Sequence, residues 1–185
     1  MKKTLAFSVM AAGLMVAMPS CGKKAEKTEG ETVVSDKPKF TSEEGNFKIA
    51  FPGEPTVTSE AVPTDIGDIQ MKMFMYEKSR EEAYMVAYSD YPQEAVDAGD
   101  KKEMLQGSKE GVVGKIGATI EEEKKIELNG NPGVYFKAKG PEFSTVYKLY
   151  LVKNRLYQVG ILKAASYPSD ADIKGFLDSF ELIRK

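Results

Sequence analysis

The stretch TVYKLYLVKNRLYQVGIL, residues 145–162, decides the fold. Side chains alternate across a strand, so Val146, Lys148 and Tyr150 share one face while Tyr147, Leu149 and Leu151 share the other. Lys153-Asn154 then turns the chain, and residues 156–162 return beside it. Both faces of this hairpin carry apolar surface, which predicts a sheet covered on both sides.

Upstream, residues 118–128 and 134–138 read as two more strands, joined through Asn129-Gly130-Asn131-Pro132-Gly133. Asn-Gly is a strong hairpin signal because both residues tolerate positive φ. Downstream, residues 169–180 read as a closing helix. Ser169 or Asp170 is its cap, and Ile173, Phe176, Leu177 and Phe180 form its apolar stripe.

The first half alternates as well. Phe47, Ile49 and Phe51 point one way until Pro52-Gly53-Glu54-Pro55 stops the strand. Ile69, Met71, Met73 and Met75 share a face of a strand over residues 69–76, and residues 84–91 form another that Pro92 ends. Asp65-Ile66-Gly67-Asp68 reads as a turn between early strands. Over residues 97–116 the period lengthens, and Met104, Leu105, Ser108, Val112, Val113 and Ile116 fall on one helical face. That helix carries Gly107, Gly111 and Gly114, each costing about 0.5–1 kcal/mol relative to Ala, so close packing of its backbone on the sheet is expected. The pattern predicts an α+β domain, an α/β/α sandwich around a central antiparallel sheet.

Four pieces stand in order: residues 47–55 (FKIAFPGEP), 129–133 (NGNPG), 154–159 (NRLYQV) and 176–182 (FLDSFEL). Together they resemble the PsbP-like superfamily, named for an extrinsic subunit of photosystem II, over residues 40–183. The resemblance implies an α/β/α sandwich with an antiparallel sheet. It also implies action by docking, since the better-known members dock on a photosynthetic complex or on a small GTPase. No binding residue of those members falls on a motif here, so the resemblance implies no site residues.

The N-terminus carries an address. Lys2 and Lys3 precede an apolar run over residues 5–18, and Met18-Pro19-Ser20-Cys21 closes it with a small residue directly before cysteine. This is signal-peptide anatomy, and the run falls short of the ~20 residues that span a bilayer. The segment resembles the lipobox of bacterial lipoproteins, which implies removal of residues 1–20 and acylation of Cys21 with two or three chains, palmitate-like in length. Each buried methylene contributes about 0.8 kcal/mol, so such an anchor holds firmly. Gly22 follows the cysteine where an Asp would favour inner-membrane retention, so the expected location is the cell envelope, with the outer membrane favoured. Residues 21–39 are rich in Lys and Glu, with Val33 and Val34 the only large apolar side chains, and read as a flexible tether. The globular domain is expected over residues 40–185.

Composition excludes several chemistries. The chain has no histidine, which removes Ser-His-Asp and Cys-His catalysis and imidazole metal ligation. Cys21 is the only cysteine, so neither a disulfide nor a thiolate metal site is available. The formal charge of −2 argues against a nucleic-acid partner. Glu121-Glu122-Glu123 lie on a strand, where adjacent carboxylates alternate faces and do not converge on one ion. Asp90, Asp97 and Asp100 lack the spacing of a calcium loop. Met71, Met73, Met75 and Met85 offer soft ligands for copper, but without His or a free Cys the expectation is core packing. Gly111, Gly114 and Gly117 do not follow a strand in the way a phosphate loop requires. No cofactor and no catalytic residue is predicted.

Aromatic residues offer the remaining candidate. Tyr135, Tyr147, Tyr150 and Tyr157 fall on neighbouring strands, and tyrosine is enriched where proteins meet partners. The leading expectation is a non-catalytic, envelope-anchored accessory lipoprotein that docks through its folded domain on a protein partner or another envelope component, with these tyrosines as candidate partner-binding residues. The alternatives are a carboxylate-dependent hydrolase, or a carrier of a small ligand or lipid, which requires an apolar pocket between sheet and helix. The anchor is tested directly: Cys21→Ser is expected to move the protein from the membrane pellet to the soluble fraction after ultracentrifugation.

Overall fold

The computed structural model describes residues 39–64 and 67–183. In chain order the elements are β1 (Phe40–Ser42), β2 (Phe47–Ile49), β3 (Thr56–Thr64), β4 (Gly67–Ser79), β5 (Glu82–Asp90), α1 (Gln93–Ala98), α2 (Lys101–Lys115), β6 (Thr119–Leu128), β7 (Asn131–Lys139), β8 (Phe143–Val152), β9 (Arg155–Ala164), α3 (Asp170–Phe176) with a following 3-10 turn, and β10 (Glu181–Leu182). Strands dominate. Seven form an antiparallel sheet in the order β3-β4-β5-β9-β8-β7-β6, and β1-β2-β10 form a second, small sheet. The chain builds the large sheet as two meanders, β3-β4-β5 and β6-β7-β8-β9, with α1 and α2 between them; β9 then pairs with β5 and joins the halves.

Alternation assigns the two faces. Phe74, Tyr84, Val86, Tyr88, Val146, Tyr150, Tyr157, Val159 and Ile161 project to one side, where they meet Phe47, Ile49, Phe51, Phe176, Leu177 and Phe180. This side is covered by the small sheet together with α3 and its 3-10 turn. Phe180 stands at its centre, with ring centroids 5.6 Å from Phe47, 6.0 Å from Tyr150 and 5.4 Å from Tyr157. Ser179 locks the closing segment: its Oγ accepts the Ala50 N–H at 2.9 Å and donates to the Phe176 carbonyl at 2.7 Å. Ser169 caps α3 by accepting the Asp172 N–H. The opposite side of the sheet carries Met71, Met85, Ala87, Val134, Phe136, Ala138, Tyr147, Leu149, Leu151 and Leu156, and meets Val96 of α1 and Leu105 of α2.

Several expectations change. The helix expected over residues 97–116 is α2, which begins only at Lys101, where the Asp100 side chain accepts the Lys102 N–H at 2.7 Å, and the short α1, which no pattern announces, precedes it and ends before Gly99. Only Asn129 and Gly130 form the turn, both at positive φ as a type I′ hairpin requires; Pro132 and Gly133 belong to β7. Gly133 is needed there, since a Cβ would stand 2.5 Å from the Leu149 carbonyl oxygen. The closing helix is shorter than residues 169–180 because the chain tightens at Leu177–Ser179 before entering β10. Strand β3 and the outer strands of the small sheet, β1 and β10, carry no pattern that announces them, whereas β2 lies where the Phe47-Ile49 alternation places a strand. The turn expected at residues 65–68 lies partly outside the described residues; Thr64 pairs with Gly67 across it.

The aromatic face implies a stability test. Phe180→Ala removes a ring packed against three others and is expected to cost about 3–5 kcal/mol, read as a lowered urea midpoint with unchanged m-value.

Candidate functional site

The second face of the sheet is only half filled. Along β4, Met71, Met73 and Met75 project to the α2 side, and the register sets Met75 opposite Met85 of β5. The same row continues through Gly160 of β9 to Tyr147 of β8. Gly160 has no side chain, and Tyr147 lies flat over it: a Cβ there would stand 2.4 Å from the ring. Tyr147 stacks on Phe136, with centroids 5.5 Å apart and an interplanar angle of 9°. Its hydroxyl reaches Met85 and donates to the Sδ at 2.8 Å. Burial raises the ionisation of this phenol far above the ordinary tyrosine value, so it stays a donor.

Helix α2 covers this face unevenly. It packs over β7 and β8 with Leu105 and the stem of Lys109 buried, and the Lys109 ammonium meets Glu123 of edge strand β6 at 2.6 Å. Its other flank, with Met104, Gly107, Ser108, Gly111 and Val112, stands off the sheet. The expected close approach of the helical glycines does not occur: a Cβ at Gly107, Gly111 or Gly114 would meet nothing within 4 Å. Between this flank and the methionines lies an open cavity of about 930 Å³. Val62, Pro63 and Thr64 of β3 close one side, and Leu162 and Gln158 contribute from β9. Its wall is chiefly apolar, and its size is that of a small-molecule site. The polar groups on the wall are few. Gln158 Nε2 lies 4.0 Å from Met71 Sδ, beyond a strong hydrogen bond, so its amide has capacity left for another partner.

Charged groups gather at the rim, where Glu77, Arg80, Glu82 and Lys115 line the opening. Lys115 Nζ stands 4.0 Å from Glu60 and links the last turn of α2 to β3. Glu82 is buried and engaged. The Tyr84 hydroxyl is 2.5 Å from its Oε1, with Lys78 at 3.0 Å and Lys163 at 3.7 Å. Burial by itself pushes this carboxyl up, but the hydrogen bonds from Tyr84 and Lys78 and the charges of Lys78 and Lys163 outweigh it and hold it below the ordinary glutamate value.

The four tyrosines do not form one surface. Tyr147 is buried on the cavity side, whereas Tyr150 and Tyr157 are buried together on the aromatic side, as cross-strand partners beneath Phe180. Tyr135 is half-buried near that side, with Lys124 Nζ 5.6 Å from its ring centroid. Covered on both faces, the sheet absorbs as core what was expected as a docking patch. Cys21 lies outside the described residues. The acidic candidates are each committed separately: Glu121 accepts from the Tyr167 hydroxyl, Glu122 pairs with Lys137 and Lys124, and Glu123 pairs with Lys109. Asp90 holds Arg155 through two bonds of 2.5 and 2.6 Å, Asp97 accepts from Gln93, and Asp100 caps α2. Among the described residues no group of three His, Cys, Asp or Glu side chains converges as a metal site. Of the methionines expected in the core, Met71 and Met85 are buried in it and also line the cavity, whereas Met73 and Met75, like Met104, are partly exposed to the cavity.

No protein-family model matches the chain, and no curated relative matches it in sequence. In structure it is similar to the solution structure of cyanobacterial PsbP (CyanoP) from Synechocystis sp. PCC 6803. The TM-score is 0.53 at 12% identity, and the match covers 84% of this chain and 98% of that one. The domain therefore has a PsbP-like fold. At that identity the likeness concerns the fold alone.

A pH test follows from Glu82. A carboxyl held below its unfolded value, about 4.3, contributes stability above that value and loses it as pH falls through the folded one. Glu82→Gln is expected to lower stability at neutral pH, with the deficit shrinking as pH falls below about 4. Thermal melts of both proteins across that range check it.

Proposed function

We propose that this domain binds a small apolar molecule or a lipid chain in the cavity between the seven-stranded sheet and α2, as the lipid-anchored carrier module of an envelope lipoprotein. The observation that carries the reading is the cavity itself: apolar walls from two layers, with Gln158 and the rim charges as its few polar groups. Apolar surface left open in this way is stabilised by an occupant that removes it from water, at roughly 25 cal/mol per Å². Methionine suits such a wall because its flexible, polarisable side chain adapts to ligands of different shape. Of the four tyrosines that were candidates for docking on a partner, three are buried, so they do not offer a surface for it. In this proposal Cys21 holds the carrier at a membrane; among the described residues no helix is long and apolar enough to cross one.

The helical glycines provide a clean test. Leucine at Gly107 and Gly111 enters the cavity without meeting neighbouring atoms at Cβ, and each replacement favours the helix by about 0.5–1 kcal/mol. The double variant Gly107→Leu, Gly111→Leu is expected to melt at or above the parent temperature while losing binding of the apolar fluorophore N-phenyl-1-naphthylamine. It should also lose any apolar adduct that native mass spectrometry finds on the parent protein. A parent that neither binds the fluorophore nor carries an adduct refutes the reading.

A further inference from the structure

Methionine is distributed unevenly over this domain. Met71, Met73, Met75, Met85 and Met104 are all the methionines beyond residue 18, and all five line the one cavity. None joins the aromatic face, whose core is built from Phe, Tyr, Leu, Ile and Val. Methionine adapts an apolar wall to ligands of different shape, and this placement also gathers five thioether sulfurs around one cavity. Thioethers are neutral, soft donors that favour Cu(I) among the biological metals.

The geometry concentrates these donors at one corner. Met75 and Met85 are direct cross-strand partners on the cavity face, where opposed Cβ atoms stand about 4.5–5.5 Å apart. Each carries its sulfur on a flexible stem, so the two can close on one ion. Met73 follows on the same face of β4. Met85 is positioned from below: the Tyr147 hydroxyl engages its Sδ at 2.8 Å, occupying one lone pair and leaving the other for a metal. Glu77, two residues from Met75 on the same face, lines the cavity and forms no ion pair among the described residues. It supplies the negative charge that a cation entering an apolar wall requires.

We propose that the β4–β5 corner of the cavity is a binding site for monovalent copper, with Met75, Met85 and Met73 as sulfur ligands, Glu77 as the compensating charge and Tyr147 as a positioning residue acting through Met85. The site needs neither histidine nor cysteine, and it stands independently of an apolar occupant.

The experiment is an anaerobic Cu(I) titration of the full chain in detergent micelles against the chelator bicinchoninate, repeated with Ag(I) as a redox-inert probe read by native mass spectrometry. The parent protein is expected to withhold one equivalent of metal. Met75→Leu and Met85→Leu preserve bulk and remove sulfur, and each is expected to weaken binding by at least about tenfold; Glu77→Gln and Tyr147→Phe should weaken it by a smaller factor. Unchanged thermal melts establish that these variants fold. Retained N-phenyl-1-naphthylamine binding in the leucine variants separates the metal site from the apolar pocket. Equal Cu(I) affinity in the parent and in the Met75→Leu, Met85→Leu double variant overturns the proposal, as does a parent that withholds no metal from the chelator.

Discussion

The pairing of β5 with β9 is the interaction on which the architecture depends. Each meander is a local structure, closed by short turns, and neither alone makes a seven-stranded sheet. The nine-pair ladder from Glu82↔Lys163 to Asp90↔Arg155 joins them across more than sixty residues of chain. Polar anchors stand at both ends. Arg155 grips Asp90, stacks on Tyr88 with its guanidinium carbon 4.2 Å from the ring centroid, and donates to the Glu44 carbonyl. At the other end Glu82 gathers Lys78, Lys163 and Tyr84. Because the contact is distant in sequence, its loop-closure entropy must be met before the ladder returns any energy. The aromatic cluster over this seam, with Tyr84, Val86, Tyr88, Tyr157 and Val159 from both strands, supplies the burial that offsets it.

Closing the sheet at this seam also creates the asymmetry of its faces. The odd-numbered positions of β5 and the even-numbered positions of β9 that face α2 include Ala83, Ala87 and Gly160, so the centre of the sheet is shallow on that side. The even-numbered positions of β5 and odd-numbered positions of β9 carry large side chains on the other. One face is therefore densely packed and able to hold the fold, while the other is free to remain open. A protein keeps such an opening only if the remaining core suffices, since unfilled apolar volume costs stability.

What was legible in the sequence follows from the same asymmetry. The β8–β9 hairpin announces itself because both faces are apolar and the turn is tight, and the aromatic stripe of the closing helix was readable because Phe176, Leu177 and Phe180 are all buried. Strand β3 was not readable: it is an edge, mostly exposed, with no alternation to detect, and Pro63 sits in it without penalty because an edge strand can leave one side unpaired. Helix α1 was hidden because it has six residues and buries only Val96, too little to make a stripe. The cavity itself left almost no sequence signal. Alternating methionines look the same whether the layer above them is close or distant, and a sheet expected to be covered on both sides gives no sign of how completely each cover is filled.

One signal did point to the site, although its meaning was reversed. Glycine inside a helix raises the free energy of that helix, and the usual compensation is a close approach of its backbone to a neighbour. Here Gly107 and Gly111 approach nothing, yet both border the cavity. The alternative compensation is volume: any side chain at either position would occupy the space between α2 and the methionines. Helix and sheet both leave this space open, with Gly107 and Gly111 on one wall and Ala83 on the other, while Leu105 and Lys109 hold α2 in place along its opposite flank. Such agreement between two separately built layers, each leaving room at the same place, is what the proposed carrier role requires of this space.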